Sequence, residues 1–314
     1  MKRSISAGTR WFRNKHAGAI DTYRPRGGML LSANIRISVL VFFSMLAFAA
    51  NSLLCRMALK QSKIEPEIFT LVRVSSGALT LCLLSKVRRE HRSIGGSWHA
   101  AGLLSIYLIC FALSYVTLAA GTGALLLFAA VELTMIAAGV MNGERLTAVR
   151  SVGACMALAG LVLLFAPGMS APDPFGALLM VAAGVAWGGY SLLGRGRKNS
   201  SISETAGNFI RATLIIICLA SCIGTSRHHF HCNMPGLIEA VIAGALASGL
   251  GYALWYSALP SLSAVNAASV QLSVPVIATL GAAMFLGEHL AWRTNLASIV
   301  VLAGIACVIR GRSR

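Results

Sequence analysis

Apolar runs of about 20 residues recur along this chain, separated by short segments that hold its charges, glycines and prolines. A helix rises about 1.5 Å per residue, so each run can cross roughly 30 Å of hydrocarbon. With 56% hydrophobic and 12% charged residues in a chain of 314, the composition differs strongly from that of a water-soluble domain. The sequence therefore predicts an all-α integral membrane protein.

The limits of the apolar runs predict ten transmembrane helices. Charges, glycine or proline bound each run, and Pro167-Gly168 separates the first five runs from the second five. The predicted spans cover residues 37–55, 67–85, 99–119, 122–141, 148–166, 174–194, 206–224, 236–256, 263–286 and 292–309.

Short motifs recur at a nearly constant spacing and indicate an internal duplication. Gly-Glu-Arg-Leu at 143–146 returns as Gly-Glu-His-Leu at 287–290, which is 144 positions later. Arg73 in the second span aligns with Arg211 in the seventh at a spacing of 138. Because each half has an odd number of spans, the second half enters the membrane with the opposite polarity. The predicted fold is ten transmembrane helices arranged as two inverted five-helix repeats.

The predicted repeats cover residues 37–168 and 169–314, and a basic tail of residues 1–36 precedes them. The tail contains no apolar region followed by a cleavage site, so we expect a disordered segment rather than a secretory signal. Met29 is an alternative start, since the first predicted span follows it directly.

Alternate loops carry the positive charges and predict the orientation. Residues 1–36, 86–98, 195–205 and the C-terminus are rich in lysine and arginine, which favours a cytoplasmic position for both termini. The loop with Arg56, Lys60 and Lys63 argues against this orientation. Because the net charge of +17 is spread over short loops, we expect no nucleic-acid partner.

Several residues in this order resemble the drug/metabolite transporter superfamily, specifically its EamA-type ten-span members. They are Ala186-Trp187 with Tyr190-Ser191, Arg73, Pro275 and the two Gly-Glu-x-Leu motifs. The resemblance covers roughly residues 37–310. It implies a plasma-membrane carrier of the bacterial inner membrane, commonly an exporter of amino acids or other small amphipathic metabolites, with a central cavity between the halves. The chain departs from the pattern at Val131 and Glu132, where the second half has Pro275.

Glu132 is the sharpest candidate for a site residue, because it places a carboxylate near the middle of the fourth predicted span. A charge there costs roughly 2.5–3.5 kcal/mol on insertion scales and is tolerated when it faces a cavity, has a partner or is protonated. We expect Glu132 either to bind a substrate ammonium group or carry a proton, or to join helices as a structural residue. Arg73 and Arg211 could meet a substrate carboxylate or Glu132, or could snorkel toward the membrane surface.

Aromatic and amide side chains complete the predicted substrate-binding set. Trp187, Tyr190 and Trp255 are expected to line an aromatic cavity, together with Tyr256 and Phe128. Amide groups would supply its polar contacts, from Asn51, Gln271 and Asn266. The alternative for each aromatic residue is simple packing, whereas Trp98 and Trp292 at span ends are typical interface anchors.

The sequence contains no motif typical of hydrolytic enzymes or of ATP-driven pumps. There is no GxSxG elbow, HExxH or phosphate-binding loop, so we expect neither an enzyme nor an ATP-driven pump, and no cofactor. His228, His229, His231 and Cys232 are too close together in one loop for a closed metal site. Small-residue rows such as Gly153, Ala157 and Gly160 allow close helix packing, within the bundle or in a homodimer.

The expected function is a secondary transporter that exports a small metabolite such as an amino acid or amine by alternating access. Its expected partners are that substrate, membrane lipid and protons as a coupling ion. The alternatives are a channel-like facilitator and a non-transporting membrane partner or sensor with the same fold.

Overall fold

The computed structural model describes residues 27–88, 95–141, 143, 147–165, 171–195, 202–224, 232–262, 270–288 and 292–310. Within these ranges the regular structure is entirely helical, without strands. We number ten helices in chain order, treating a continuous helix as one. They are α1 Gly27–Arg56, with a π-helical extension Met57–Gln61, α2 Pro66–Val87, α3 Trp98–Tyr115, α4 Ala120–Met141, α5 Ala148–Phe165, α6 Pro174–Arg195, α7 Ile202–Gly224, α8 Met234–Ala258, α9 Ser273–Leu286 and α10 Trp292–Arg310.

Seven of these helices are long and apolar enough to cross a membrane, namely α1 to α4 and α6 to α8. The apolar parts of α5, α9 and α10 are shorter, at Ala148–Leu163, Ser273–Leu286 and Asn295–Val308. The all-helical membrane prediction is confirmed, and each predicted span overlaps one of the ten helices. Helix α1 begins at Gly27, ten residues before the predicted span, because a helix satisfies its own hydrogen bonds and can continue past the hydrocarbon.

Local chemistry explains several helix ends. The Ser97 side chain accepts a hydrogen bond from the Ala100 amide at 3.2 Å and begins α3, and Asn233 accepts one from Gly236 at 2.9 Å at the start of α8. Helix α9 ends at Gly287, whose φ of 61° lies in the left-handed region. These caps satisfy backbone groups that the ends of a helix leave unpaired.

The helices pack in a regular pattern. The most extensive packings join α5 to α10, α3 to α6, α2 to α7, α4 to α6, α2 to α8, α1 to α8, α1 to α9, α4 to α9 and α3 to α7. All nine of these packings join one of the first five helices to one of the last five. The two sets of helices therefore form one bundle with a long shared interface.

The small-residue row of α5 serves this internal packing. A Cβ atom at Gly153 would lie 2.6 Å from the Gly304 carbonyl oxygen, and one at Gly160 would lie 2.6 Å from Val301. Both neighbours belong to α10. This row therefore brings α5 and α10 into backbone contact, which leaves it no role as a free dimer surface.

Candidate functional site

Arg73 of α2 is the largest completely buried side chain among the described residues. Its Nη2 donates to the Tyr107 hydroxyl of α3 at 3.2 Å, and its Nε donates to the Ser248 hydroxyl of α8 at 3.3 Å. The guanidinium also lies over the rings of Phe111 and Tyr107, 4.8 and 5.6 Å from their centroids. Arg73 therefore does not snorkel, and the interpretation that placed it near the membrane surface is wrong.

The charge of Arg73 has no carboxylate partner among the described residues. Its Nη1 is buried and has no hydrogen-bond acceptor among these residues. Asn51 Oδ1 is likewise buried and has no hydrogen-bond donor there. The Asn51 amide nitrogen donates to the same Tyr107 hydroxyl at 3.4 Å. An unsatisfied buried donor or acceptor typically costs about 1–3 kcal/mol, and more when it is charged. Arg73 Nη1 and Asn51 Oδ1 thus remain as one available donor and one available acceptor, on two residues that both donate to the Tyr107 hydroxyl.

Aromatic rings surround this polar group on the side of the second five helices. Trp187 of α6 contacts Tyr107, Tyr252 and Tyr190, with ring centroids 5.0, 5.2 and 5.4 Å away. The Trp187 and Tyr252 planes are inclined by only 19°, so these two rings are stacked. Phe48 of α1 meets the edge of the same group, 5.7 Å from Tyr252.

A narrow cavity lies between these side chains, at the interface of the two sets of helices. It has space for water rather than for a metabolite. The lining residues come from α1, α3, α4, α6 and α8, and include Phe48, Asn51, Ser52, Tyr107, Phe111, Leu127, Phe128, Trp187, Ala247 and Tyr252.

Local helix geometry in α8 sets the position of the arginine. Residues Ala243–Leu250 form a π-helical stretch within α8, and Ser248 belongs to it. A Cβ atom at Gly244 would lie 2.2 Å from the Arg73 carbonyl oxygen, so only glycine allows this approach of α8 to α2. Such π-helical segments are frequent at functional sites because they shift the side chains that follow.

The structure brings together part of the predicted substrate-binding set. Asn51, Trp187 and Phe128 line the cavity, and Arg73 contacts two of its lining residues, Tyr107 and Phe111. Tyr190 lies beside Trp187, but together with Tyr256 it borders a second small cavity nearer the start of α7. The Tyr190 hydroxyl accepts a hydrogen bond from Asn208 at 3.3 Å.

Three predicted residues lie elsewhere. Trp255 packs against Phe48 at 6.0 Å in a neighbouring apolar cluster, and Gln271 is partly buried just before α9. Glu132 is buried in α4, one turn beyond Phe128, and is not among the residues that line the cavity. Arg73 donates to Tyr107 and Ser248 and not to Glu132, so the expected contact between these two charges is not observed among the described residues. Predicted Asn266 lies outside the described residues.

Sequence reasoning missed Tyr107, Ser248 and Tyr252, although all three contact the arginine or Trp187. Tyr107 and Tyr252 could have been found by the criterion that selected Glu132, since each is a polar group well inside a predicted span. Ser248 carries no such signal because serine is common in membrane helices.

The described residues contain no group of three or more histidine, cysteine or acidic side chains placed to hold a metal ion. Cys232 is exposed, and the histidines at 228, 229 and 231 lie outside the described ranges.

The fold and the cavity define a multi-pass helical membrane protein with a polar and aromatic centre. Residues 174–310 match the model of the EamA-like transporter family. An uncharacterized protein of Pseudomonas aeruginosa is 48% identical over 279 residues, which are 88% of this chain and 96% of the relative. An uncharacterized transporter of Archaeoglobus fulgidus is 26% identical over 67% of this chain and 75% of its own length. The chain therefore belongs to the EamA-like transporter family and is a membrane transporter.

Two further comparisons place the chain more broadly. A probable terminal-alkyne amino-acid exporter of Streptantibioticus cattleyicolor is 26% identical over 195 residues, which are 59% of this chain and 62% of that protein. A solved crystal structure with 18% identity superposes with a TM-score of 0.64 and covers 87% of this chain and 96% of its own. The second likeness concerns the fold alone.

Proposed function

We propose that this protein is a secondary transporter that exports a small carboxylate-bearing metabolite, an amino acid in the first place, by alternating access across the plasma membrane. The buried, uncompensated charge of Arg73 at the central cavity carries the proposal. A transporter that moves an anionic group through a low-dielectric interior needs a positive charge that the substrate itself neutralises.

The proposed architecture is ten spans in two inverted five-helix repeats, 37–168 and 169–314, with both termini in the cytoplasm. The helix packings support it, because their pattern is unchanged when each helix is exchanged for the one five positions later. For example, α3 packs on α6 and α8 on α1, while α4 packs on α6 and α9 on α1. Arg56 no longer argues against this orientation, because its charge is buried in an ion pair with Glu288 and is not exposed in a loop.

The donor and acceptor beside Tyr107 support an amino acid rather than a simple amine. The Arg73 Nη1 can donate to a substrate carboxylate, and Asn51 Oδ1 can accept from a substrate ammonium group. A simple amine would bring a second positive charge next to Arg73 with nothing to offset it, which is unfavourable at low dielectric. The rings of Trp187 and Tyr252 offer an apolar face for the rest of the molecule. The relative described as an amino-acid exporter supports the same class.

Glu132 has the role of a proton carrier in this proposal. It is a buried acid in the middle of α4, one turn from Phe128 of the cavity wall. Buried acids in membrane spans are commonly proton relays, because protonation removes the cost of burying their charge.

Counterflow in proteoliposomes tests the function directly. Each labelled amino acid is compared with the amine that differs from it only by loss of the carboxylate. We expect unlabelled amino acid on one side to accelerate movement of labelled amino acid from the other, and the matched amine to have no effect. A facilitator would give flux without counterflow, equal movement of amine and amino acid would overturn the role of Arg73, and no flux of any compound would favour the non-transporting partner.

An imposed proton gradient tests Glu132 separately. We expect the gradient to accelerate transport by the wild type and to have no effect on Glu132→Gln, while counterflow without a gradient persists in both. If the variant responds to the gradient as the wild type does, Glu132 is a structural residue.

A further inference from the structure

A buried cluster of charges ties four helix ends together at one end of the bundle, which we call the Arg56 end. It comprises Arg56 at the end of α1, the last residues of α3, the first residue of α4 and Glu288 just after α9. The Arg56 Nε and Glu288 Oε1 atoms are 2.9 Å apart, and their side chains are only 5% and 10% exposed.

Both charged side chains also bind backbone groups. The Arg56 Nη1 donates to the carbonyl oxygens of Tyr115 and Val116, at 2.8 and 2.9 Å, where α3 ends. Glu288 Oε2 accepts from the Ala120 amide at 2.9 Å, where α4 begins. A cation at a helix C-terminus and an anion at a helix N-terminus are both favoured by the backbone dipoles. The cluster is therefore satisfied as a unit, and it connects α1, α3 and α4 of the first five helices to α9 of the last five.

The cluster lies directly above the central cavity. Asn51 and Ser52 line the cavity about one helical turn before Arg56 on α1, and Phe111 lines it one turn before Tyr115 on α3. The Tyr115 ring is completely buried, and its hydroxyl donates to the Ala120 carbonyl oxygen at 3.3 Å. These contacts lie between the cavity and the Arg56 end of the bundle.

The opposite side of the cavity is closed by different chemistry. There the rings of Trp187, Tyr190 and Tyr252 stack, and Asn208 donates a hydrogen bond to the Tyr190 hydroxyl. Neutral rings can slide apart without leaving a charge unpaired. Separating Arg56 from Glu288 would instead leave two buried charges unsatisfied unless water enters.

We infer that the Arg56–Glu288 cluster is the closure of the Arg56 end, which is the outer end in the proposed orientation, and that it must open for substrate to leave. This inference rests on the proposed transport function. The breaking of one ion pair, together with entry of water, separates α9 from α1 and α4. Arg56 and Glu288 thus set the population of the outward-open state without touching the substrate.

Thiol labelling tests the closure without any substrate. Cys55 precedes Arg56 and is completely buried, so it reports opening of this end. A variant that keeps only this cysteine is treated with a charged, membrane-impermeant maleimide, applied from either side of oriented vesicles. We expect slow labelling, and Glu288→Gln should raise the rate from the outer side roughly tenfold, since a buried charged hydrogen bond is lost.

Glu239→Gln is the matched control, because Glu239 also lies at this end and accepts from Ser62 at 2.9 Å, but is not part of the cluster. It should leave the labelling rate unchanged. Arg56→Lys keeps the charge, but its ammonium group cannot reach the carboxylate and both carbonyl oxygens together. It should therefore give an intermediate labelling rate. This variant also provides the test if Glu288→Gln fails to fold. The inference is overturned if folded Glu288→Gln labels no faster than its parent, or if Glu239→Gln accelerates labelling equally. Neither result depends on whether any amino acid is transported.

Discussion

Arg73 and Arg211 occupy matching positions in the predicted internal repeat, yet their surroundings differ completely. Arg73 is buried between Tyr107, Phe111 and Ser248 beside the cavity. Arg211 is partly exposed and donates to the carbonyl oxygens of Gly95 and Gly207, at 2.7 and 3.0 Å. One guanidinium lacks an acceptor for Nη1, whereas the other holds the chain just before α3.

The contrast teaches that two arginines at matching sequence positions can have entirely different surroundings. Arg211 lies near the helix end where carbonyl oxygens of α7 and of the segment before α3 are available, and it lies over the exposed ring of Trp98 at 5.8 Å. Its neighbour Asn208 accepts from the Ser97 amide at 2.9 Å and supports the same segment. The region around Arg211 is therefore an anchor, and that around Arg73 is the candidate site.

The largest expected effect separates the two arginines directly. Arg73→Gln should lower the counterflow rate by roughly 100-fold, because loss of a buried charged partner is costly to binding. Arg211→Gln should retain transport within about threefold, since carbonyl partners at the surface can bind water instead. Counterflow in proteoliposomes, with protein amounts matched by size-exclusion chromatography, measures both. Equal losses would mean that neither arginine is specific to the site.

A smaller effect is expected where α8 approaches Arg73. Gly244→Ala should lower stability by about 1–3 kcal/mol, because its Cβ atom would meet the Ser76 hydroxyl and the Arg73 carbonyl. Gly102→Ala is the matched control, since a Cβ atom there has no neighbour within 4 Å, and alanine favours helix. Thermal unfolding in detergent measures the difference. A Gly244→Ala protein as stable as Gly102→Ala would contradict the close approach of α8 to α2.

The smallest expected effect concerns the anchor. Trp98→Leu should lower stability by about 0.5–1 kcal/mol and leave transport intact, because an exposed cation–π contact is weak. Trp187→Leu removes stacking at the cavity and should weaken apparent substrate affinity instead. Thermal unfolding and the concentration dependence of counterflow distinguish the two. A transport defect in Trp98→Leu would extend the site to the start of α3.

Some features of the site could be read from the sequence. Arg73, Asn51 and Trp187 are polar or amphipathic residues well inside apolar runs, where their cost makes them conspicuous. Trp255, near the end of its predicted span, packs with Phe48 in a neighbouring cluster, since the helix face that a residue occupies depends on which helices surround it. Glu132 met the same criterion as Arg73. The packing of the helices places it one helical turn beyond Phe128, outside the residues that line the cavity.

The Gly-Glu motifs also show which features the sequence predicts and which depend on helix packing. In each motif the glutamate follows a glycine just past the end of a predicted span, and Glu288 joins Arg56 to the start of α4. Glu144 lies outside the described residues. The left-handed conformation of Gly143 and Gly287, with φ of 87° and 61°, explains the glycine in each motif.

The sequence by itself determined that this chain is a helical membrane protein, because apolar runs long enough to cross lipid leave no other solvent for most of its residues. It also predicted where the helices lie along the chain. Tertiary structure alone decided that Arg73 meets Tyr107 and Ser248, and that Arg56 meets Glu288 across 232 positions of sequence. Those contacts depend on which helices pack and at what rotation, and apolar membrane helices carry little periodic signal to specify either.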